Sequence, residues 1–249
     1  MRTHTRPSPV FAAVLLLVRL SATFATDFPP AQNITWKSTN FKTVLTWGPE
    51  PTTEYSYTVE FSQLGRERQR NPHCIRSSRT QCDLSSSLTD LRACYTADVL
   101  SVPPEGQALE LKEYPFSSSL RFCPYTQTLL LGPSFKLVVS PDQKMTTVHV
   151  SDPLTAAFKD GNQLSIRDVF GEELEYRVTY RRNKSTGKKV VTSKLNEVEV
   201  PGLDAGESYC FQVQALVRSR PTTSQLGELS QTQCTTSRTL PSWTSTRWV

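Results

Sequence analysis

Short runs in which apolar and polar residues alternate recur along the chain, and they restrict its fold more than any other feature. Apolar side chains occupy every second position in YSYTVEF (55–61), LEYRVTY (174–180) and YCFQVQA (209–215). Successive side chains of a β-strand point to opposite faces, so this alternation predicts strands with one buried and one exposed face. Turn-forming clusters such as GPEPTTE and NKSTGKK separate the runs. Many short strands bounded by turns favour an all-β fold built from β-sandwiches.

A weak internal repeat divides the chain into two parts. SSLTDLRACYTADVL and VPGLDAGESYCFQVQALV each pass from a leucine and a turn into a tyrosine, Tyr95 or Tyr209, followed by alternating residues. These tyrosines lie 114 residues apart, about the length of one sandwich domain. A tyrosine so placed suits a tyrosine corner, in which the hydroxyl binds nearby backbone. We therefore expect two similar sandwiches, at 27–127 and 128–236; the alternative is one irregular β domain.

Residues 1–25 have the pattern of a secretory signal peptide, with basic residues, a nine-residue apolar core and small residues near Ala25. A membrane anchor is the alternative, but nine apolar residues are too few to cross ~30 Å of hydrocarbon. Arg19 also follows the apolar core directly. The last segment, 237–249, is polar, so we expect a tail without a transmembrane helix. The sequence thus predicts a secreted, extracellular chain.

The net charge does not favour a nucleic-acid partner. The formal value is +5, but the predicted signal peptide contributes three arginines and no acid, which leaves about +2 on the mature chain. Domains that bind nucleic acids concentrate basic residues on one face. A charge this small, spread over two modules, predicts no nucleic-acid binding.

The cysteines indicate disulfides formed in an oxidising compartment, because they are even in number and follow a secretory signal. A zinc site would need close pairs of the C-x-x-C kind, and the sequence has none. Four cysteines in the first module allow three pairings. We expect the pairs that stay within one module and suit hairpins or neighbouring strands. These pairs are Cys74–Cys82, Cys94–Cys123 and Cys210–Cys234.

Two sequons agree with an extracellular glycoprotein. NIT begins at Asn33 and NKS at Asn183, and each fits the N-glycosylation acceptor pattern. Because such triplets also arise by chance, each one alone is modest support. We expect N-linked glycans at both asparagines.

No constellation of catalytic residues is visible in the sequence. The two histidines of the mature chain, His73 and His149, have no obvious serine or cysteine partner, and paired cysteines leave no thiol nucleophile. The chain also lacks a G-x-S-x-G elbow, an H-E-x-x-H motif, a phosphate-binding loop and a dinucleotide fingerprint. We predict a protein that is not an enzyme and that carries no cofactor or metal. Its loops and exposed strand faces are then the candidate docking surfaces.

Five segments, in order, resemble one known family. They are NITWKSTNFKTVLTW (33–47), CDL (82–84), LSIRDVFGEEL (164–174), STGKK (185–189) and ESYCFQVQA (207–215). Over about 31–236 the chain resembles the tissue factor family of class II cytokine receptors. That resemblance implies two tandem fibronectin type III modules. It also implies a non-enzymatic receptor and cofactor that binds the serine protease coagulation factor VII or VIIa, activates it allosterically and presents the zymogens factor IX and factor X.

The resemblance also assigns residues to two surfaces. The implied protease-binding positions are Lys42, Val44, Thr46, Arg70, Asp83, Asp98 and Phe116. The implied exosite for substrate zymogens consists of Tyr180, Gly187, Lys188 and Lys189. Four protease-binding positions depart from the family pattern. Arg70 replaces a tryptophan, Thr46 a glutamate and Asp98 an arginine. Phe116 replaces a tyrosine, keeping the ring but losing the hydroxyl. Aromatic and arginine anchors usually dominate interface energy, so these changes bear directly on affinity.

Two further features differ from the family pattern. Cys94 and Cys123 are additional, and their pairing would give a third disulfide. Family members continue into a single transmembrane helix, whereas this sequence stops about fifteen residues after Cys234. We therefore expect contact with an anionic membrane only indirectly. The alternative function is that of a soluble class II cytokine receptor whose module pair binds a helical cytokine.

Overall fold

The computed structural model describes residues 28–103 and 114–236. The predicted signal peptide at 1–25 and the predicted polar tail at 237–249 lie outside the described residues. Within those ranges the chain is mostly β-strand, and no helix there is long and apolar enough to cross a membrane.

The described residues form β-strands in both modules and two short α-helices. The strands are β1 (Gln32–Thr39), β2 (Lys42–Gly48), β3 (Ser56–Gln63), β4 (Gln69–Arg70), β5 (Gln81–Asp83), β6 (Tyr95–Val102), β7 (Phe116–Ser118), β8 (Phe135–Val139), β9 (Met145–Val150), β10 (Leu154–Lys159), β11 (Asn162–Ser165), β12 (Leu174–Arg182), β13 (Lys189–Ser193), β14 (Glu197–Pro201), β15 (Tyr209–Val217) and β16 (Gln233–Cys234). The helices are α1 (Pro124–Gln127) and α2 (Ile166–Phe170).

The first module is a sandwich of two antiparallel sheets. One sheet has the order β1-β2-β5 and the other the order β4-β3-β6-β7. Side chains from alternate positions of both sheets meet in the core, where Leu45, Tyr57, Val59 and Val99 are fully buried. The apolar residues predicted to face the core from 55–61 do so, but the opposite face of β3 is not exposed as predicted, since Ser56 and Thr58 are also buried.

The second module repeats this plan with its own core. Its sheets have the orders β13-β12-β15-β16 and β14-β9-β8, and β10 and β11 form a separate two-stranded sheet. Along β12 the residues alternate between buried and partly exposed, and Tyr176 and Val178 pack with Phe211 and Val213 of β15. Helix α2 begins with a capping box, since the Ser165 hydroxyl accepts from the backbone of the third helical residue, which in turn caps Ser165.

Both predicted tyrosine corners are present. The Tyr95 hydroxyl donates to the Asp90 carbonyl at 3.0 Å. The Tyr209 hydroxyl bonds to the Asp204 carboxylate at 2.9 Å. In each case the tyrosine fixes the turn that leads into the strand, β6 or β15. The two-sandwich fold is therefore confirmed, while the predicted limits 27–127 and 128–236 stay predictions.

Three disulfides join cysteines of the same module. The pairs are Cys74–Cys82, Cys94–Cys123 and Cys210–Cys234, the same three that the sequence favoured. Cys210 and Cys234 face each other in the register of β15 and β16, so this disulfide reinforces the last strand pair. No described cysteine is free.

The turn between β1 and β2 inserts into the second module. Asn40 and Phe41 both have positive φ, 42° and 66°. Phe41 is buried in the core of the second module, where its ring lies 5.8 Å from that of Phe170. The Asn40 carboxamide oxygen accepts from the backbone of Leu131 at 3.0 Å, and its carbonyl accepts from Ala156 at 2.9 Å. This turn therefore connects the two sandwiches through both apolar and polar contacts.

A buried arginine closes the same junction from the other side. The Arg220 guanidinium donates to the carbonyl of Thr128 in the segment between the modules and lies over the Phe170 ring, 5.8 Å from its centre. Burial lowers the pKa of Arg220 to about 10. Among the residues that the structure describes, none forms a hydrogen bond with its Nε. The modules thus share buried apolar and polar groups, which favours a fixed relative orientation.

Candidate protein-binding surfaces

Four of the predicted protease-binding residues lie together on the outer face of β2 and β5. Alternation along β2 sends Leu45 into the core and leaves Lys42, Val44 and Thr46 on the opposite face. Asp83 of β5 faces Val44 in the strand register and forms an ion pair with the Lys42 ammonium. Both charged side chains are about half exposed, so a partner protein can reach them.

Local hydrogen bonds hold the Asp83 carboxylate in place. The Ser85 hydroxyl donates to it at 2.6 Å, and the Ser85 backbone N–H donates at 3.0 Å. Partial burial of Asp83 opposes its charged form, but the hydrogen bonds from Lys42 and Ser85 outweigh that effect and lower the pKa below its ordinary value. The pair is therefore preorganised as a charged unit before any partner binds.

The other three predicted residues lie on the second sheet of the module. Arg70 of β4, Asp98 of β6 and Phe116 of β7 occupy the outer face of the β4-β3-β6-β7 sheet. The core fills the space between the two sheets, so this face points away from the Lys42–Asp83 face. The structure thus divides the seven residues between two outer faces.

Asp98 does not present a free carboxylate, contrary to the expectation that it belongs to a contact surface. Its side chain is only 8% exposed, it pairs with Arg68 at 2.6 Å, and it accepts from the Ser118 hydroxyl at 2.7 Å. Arg70 is exposed but pairs with Glu60 at 2.9 Å. Phe116, by contrast, is half exposed and available for contact.

The hairpin of β10 and β11 is a candidate surface that sequence reasoning missed. Leu154 and Phe158, near the two ends of β10, are 60% and 65% exposed, which is high for large apolar side chains. The backbone bond from Ala156 to Asn40 places this hairpin beside the turn that precedes Lys42. TAAFKDG (155–161) does not alternate clearly between apolar and polar residues, so no pattern in it predicts an exposed apolar surface.

The predicted exosite surrounds the loop 183–188 between β12 and β13. Gly187 and Lys188 lie exposed in this loop, and Lys189 is the exposed first residue of β13. The loop is held by a bond from the Arg181 guanidinium to the Ser185 carbonyl at 3.0 Å. Tyr180 is placed differently from the expectation of a contact residue. It is mostly buried and stacks on Phe211 with 5.8 Å between ring centres.

An open cleft lies between this loop and the face of β12 and β15. Arg181 and Lys188 supply positive charge to its walls, and Ser185, Thr186 and Gln212 supply hydrogen-bonding groups. Two cations beside hydroxyl and amide groups form a site suited to carboxylates. Such a cleft fits an acidic segment of a partner protein.

Both predicted glycosylation sites are exposed. Asn33 has a positive φ of 55° at the irregular start of β1. Asn183 follows β12 directly and is tied to the Ser208 carbonyl through its backbone N–H at 2.7 Å. Glycans at these two asparagines stay a prediction.

Comparisons with known proteins agree with this architecture. A tissue factor family model matches residues 8–108, and an interferon-alpha/beta receptor fibronectin type III model matches residues 128–238. The tissue factor of Mus musculus is 38% identical over 237 residues, which cover 92% of this chain and 78% of that protein. That of Oryctolagus cuniculus is 39% identical over 208 residues, or 82% of this chain and 69% of that protein. The chain belongs to the tissue factor family.

More distant relatives place the tissue factor family beside the class II cytokine receptors. Interferon alpha/beta receptor 1a of Oncorhynchus mykiss is 30% identical over 218 residues, covering 82% of this chain and 50% of that protein. The crystal structure of the chicken interferon gamma receptor alpha chain superimposes with a TM-score of 0.62 at 21% identity, covering 83% of this chain and 97% of that one. The fold is thus that of tandem fibronectin type III receptors.

Proposed function

We propose that this chain is an extracellular, non-enzymatic receptor and cofactor for the serine protease coagulation factor VII and its activated form. The observation that carries the proposal is that the chain is 38% identical to the tissue factor of Mus musculus over 92% of its length. The exposed, preorganised Lys42–Asp83 pair supports it, because that pair lies within the implied protease-binding set.

The β2–β5 face and the adjoining β10–β11 hairpin form the main protease contact in this proposal. Leu154 and Phe158 of the hairpin are the apolar anchors. The charges of Lys42 and Asp83 orient the protease on this surface. Contacts with both modules stabilise the active conformation of the protease, because only that conformation makes all of them.

Arg70 and Asp98 contribute less in this chain than the family pattern implies. Asp98 pairs with Arg68 and Arg70 with Glu60, and the two acids are largely buried, with side chains 8% and 20% exposed against 49% for Asp83 of the Lys42–Asp83 pair. A partner would have to break or cover these pairs without a corresponding gain. We therefore assign the larger share of the binding free energy to the β2–β5 face.

The loop 183–188 and Lys189 form the proposed exosite for the zymogens factor IX and factor X. A lysine is a compact charge on a flexible stem, which suits transient attraction to a carboxylate-rich domain. Alignment of a bound protease with its substrate lowers the entropic part of the barrier. The chain thereby accelerates a reaction whose catalytic groups belong to the protease.

Binding of activated factor VII to the mature chain tests this proposal directly. We expect saturable binding and faster cleavage of a small chromogenic peptide by the protease. Lys42→Ala should weaken binding at least tenfold, since loss of a desolvated charged contact can cost about 2–5 kcal/mol. Lys136→Ala, which removes an exposed lysine from β8 of the second module, is the control. Wild-type affinity in Lys42→Ala would refute the proposed interface.

A second experiment separates the exosite from the protease contact. Changing Lys188 and Lys189 together to Ala should leave protease affinity and peptide cleavage intact while lowering factor X activation. The assay uses anionic vesicles to which the chain is tethered by a C-terminal fusion. Equal loss in both assays would instead indicate misfolding or a protease contact.

A helical cytokine is the alternative ligand, and the match of the second module to an interferon receptor family supports it. The same binding assay distinguishes the two. If activated factor VII does not bind and a class II cytokine does, the cofactor proposal fails and the receptor alternative stands.

A further inference from the structure

The disulfide between Cys94 and Cys123 lies where the first module meets the connecting segment. Cys94 directly precedes β6, and Cys123 directly precedes helix α1, the single turn that leads into the second module. We call this bond the linker disulfide. It is additional to the cysteine pattern that the family resemblance implied.

Backbone hydrogen bonds on both sides of the linker disulfide fix the same segment. Tyr95 and Phe122 exchange two backbone bonds, at 2.7 and 2.9 Å. One turn later the Tyr125 N–H donates to the Leu91 carbonyl at 2.9 Å. The disulfide therefore closes a short region in which residues 122–125 lie against the entry to β6.

Tyr125, two residues after Cys123, belongs to the core of the second module. Its ring centre lies 5.0 Å from that of Phe170, and its hydroxyl shares a hydrogen bond of 2.9 Å with Ser219. On its other side the Arg92 guanidinium of the first module lies 4.4 Å from the ring centre. One side chain thus contacts both modules, two residues after a cysteine of the linker disulfide.

We propose that the linker disulfide is a positioning element that fixes the second module relative to the first. It does so by holding helix α1, and with it Tyr125, against the first module. A helix of one turn is not stable by itself, so its position depends on such neighbours. The consequence for activity, alignment of the protease-binding face with the loop 183–188, rests on the proposed function.

A simpler role for the linker disulfide would be to stabilise only the first sandwich. The chain contains a control for this, because the Cys74–Cys82 disulfide lies in the same module and pairs residues away from helix α1. Both disulfides constrain the unfolded chain, so removal of either should lower the melting temperature, by roughly 5–15 °C. Only removal of the linker disulfide should affect the junction.

Hydrogen exchange in two double variants of the mature chain tests the proposal. The variants are Cys94→Ala with Cys123→Ala, and Cys74→Ala with Cys82→Ala. The amides to follow are those of Tyr125, Leu131 and Ala156, whose bonds cross or border the junction. In the linker variant we expect these amides to exchange roughly tenfold faster than in the wild type. In the control variant they should keep wild-type protection.

Equal exchange at these amides in both variants would overturn the proposal and leave the linker disulfide as a stabiliser of the first sandwich. If the linker variant does not fold, the folded wild type is partially reduced with a dithiol and its free thiols are alkylated. The products are then separated according to which disulfide was reduced. The same amides then give the answer. This measurement needs no protease. It therefore tests the role of the linker disulfide even if the chain does not bind factor VII.

The functional arm uses the linker variant with activated factor VII. Because the proposed protease contact spans both modules, peptide cleavage by the bound protease and factor X activation should both fall, factor X activation at least fivefold. Unchanged factor X activation would show that the orientation fixed by the linker disulfide is irrelevant to substrate presentation.

Discussion

Replacing Phe41 by Ala should destabilise the second module, although Phe41 belongs to a turn of the first. Phe41 is 2% exposed and packs among Tyr125, Leu130 and Phe170 in the second core. A phenylalanine buries about 150–250 Å², so full transfer from water is worth about 4–6 kcal/mol at ~25 cal/mol per Å². Alanine keeps its Cβ, and the unfolded chain is partly compact, which lowers the expected loss to about 3–4 kcal/mol.

The left-handed backbone at Phe41 does not alter this expectation. Its φ of 66° is unfavourable for Phe and Ala alike, so the conformational cost cancels in the comparison. Lys42→Ala, at the next position, is the matched control. It removes an exposed ion pair, which contributes no more than about 1 kcal/mol.

Urea unfolding followed by circular dichroism measures the loss, and hydrogen exchange locates it. In Phe41→Ala we expect faster exchange in β9, β12 and β15, whose side chains line the second core. A loss below about 1 kcal/mol would refute the reasoning. So would a loss confined to the amides of β1 and β2, because the ring would then stabilise only its own turn.

Three other predictions concern separate parts of the chain. Tyr209→Phe should lower the free energy of unfolding, measured with urea, by about 1–1.5 kcal/mol, because it removes the hydroxyl that bonds to the turn before β15. Gly132→Ala should lower the free energy of unfolding by about 1–3 kcal/mol, because the new Cβ would lie 2.5 Å from the Leu229 carbonyl oxygen. Lys42→Ala should raise the pKa of Asp83 in a carboxyl NMR titration, because it removes one of the hydrogen bonds that lower it.

Each of these predictions has a result that would contradict it. Wild-type stability in Tyr209→Phe would show that the corner hydroxyl is replaceable by water. Gly187→Ala, where the nearest atom is a side-chain oxygen at 3.7 Å, should be nearly neutral, and a loss equal to that of Gly132→Ala would discredit the steric argument. An unchanged pKa of Asp83 in Lys42→Ala would contradict the third prediction. Folding lowers the pKa of Asp83, so the contribution of this group to the free energy of unfolding is present above the unfolded pKa of ~3.9 and is lost as pH falls through the folded value.

Local patterns were sufficient to predict the sandwiches. Alternation identified β3, β12 and β15 because each has one face in a core, and period two is a direct consequence of strand geometry. The tyrosine corners were predictable for a similar reason, since the tyrosine and its acceptor are five residues apart in sequence. Interactions of this range leave a visible mark in a single sequence.

The junction and the division of the contact set were not predictable in this way. Phe41 reads as one more apolar residue of an opening strand, and Arg220 reads as a surface arginine after β15. Their burial depends on contacts between residues far apart in the sequence, such as Arg220 with Thr128, 92 positions away. Family resemblance predicted contact positions but not the sheet face that each of them occupies.

Arg70 and Asp98, on the outer face of the β4-β3-β6-β7 sheet, belong to one cluster of charged side chains. Asp98 faces Glu60 directly across β3 and β6, and two like charges at such a position repel each other. Arg70 pairs with Glu60 and Arg68 with Asp98, so each acid is neutralised by an arginine of the neighbouring segment. Asp98 and Arg70, which both depart from the family pattern, are therefore coupled rather than independent changes. An acid at position 98 requires basic residues beside it, and those residues are then committed within the module. For the proposed partner binding, the β2–β5 face offers more accessible charges, since the Lys42 and Asp83 side chains are 58% and 49% exposed.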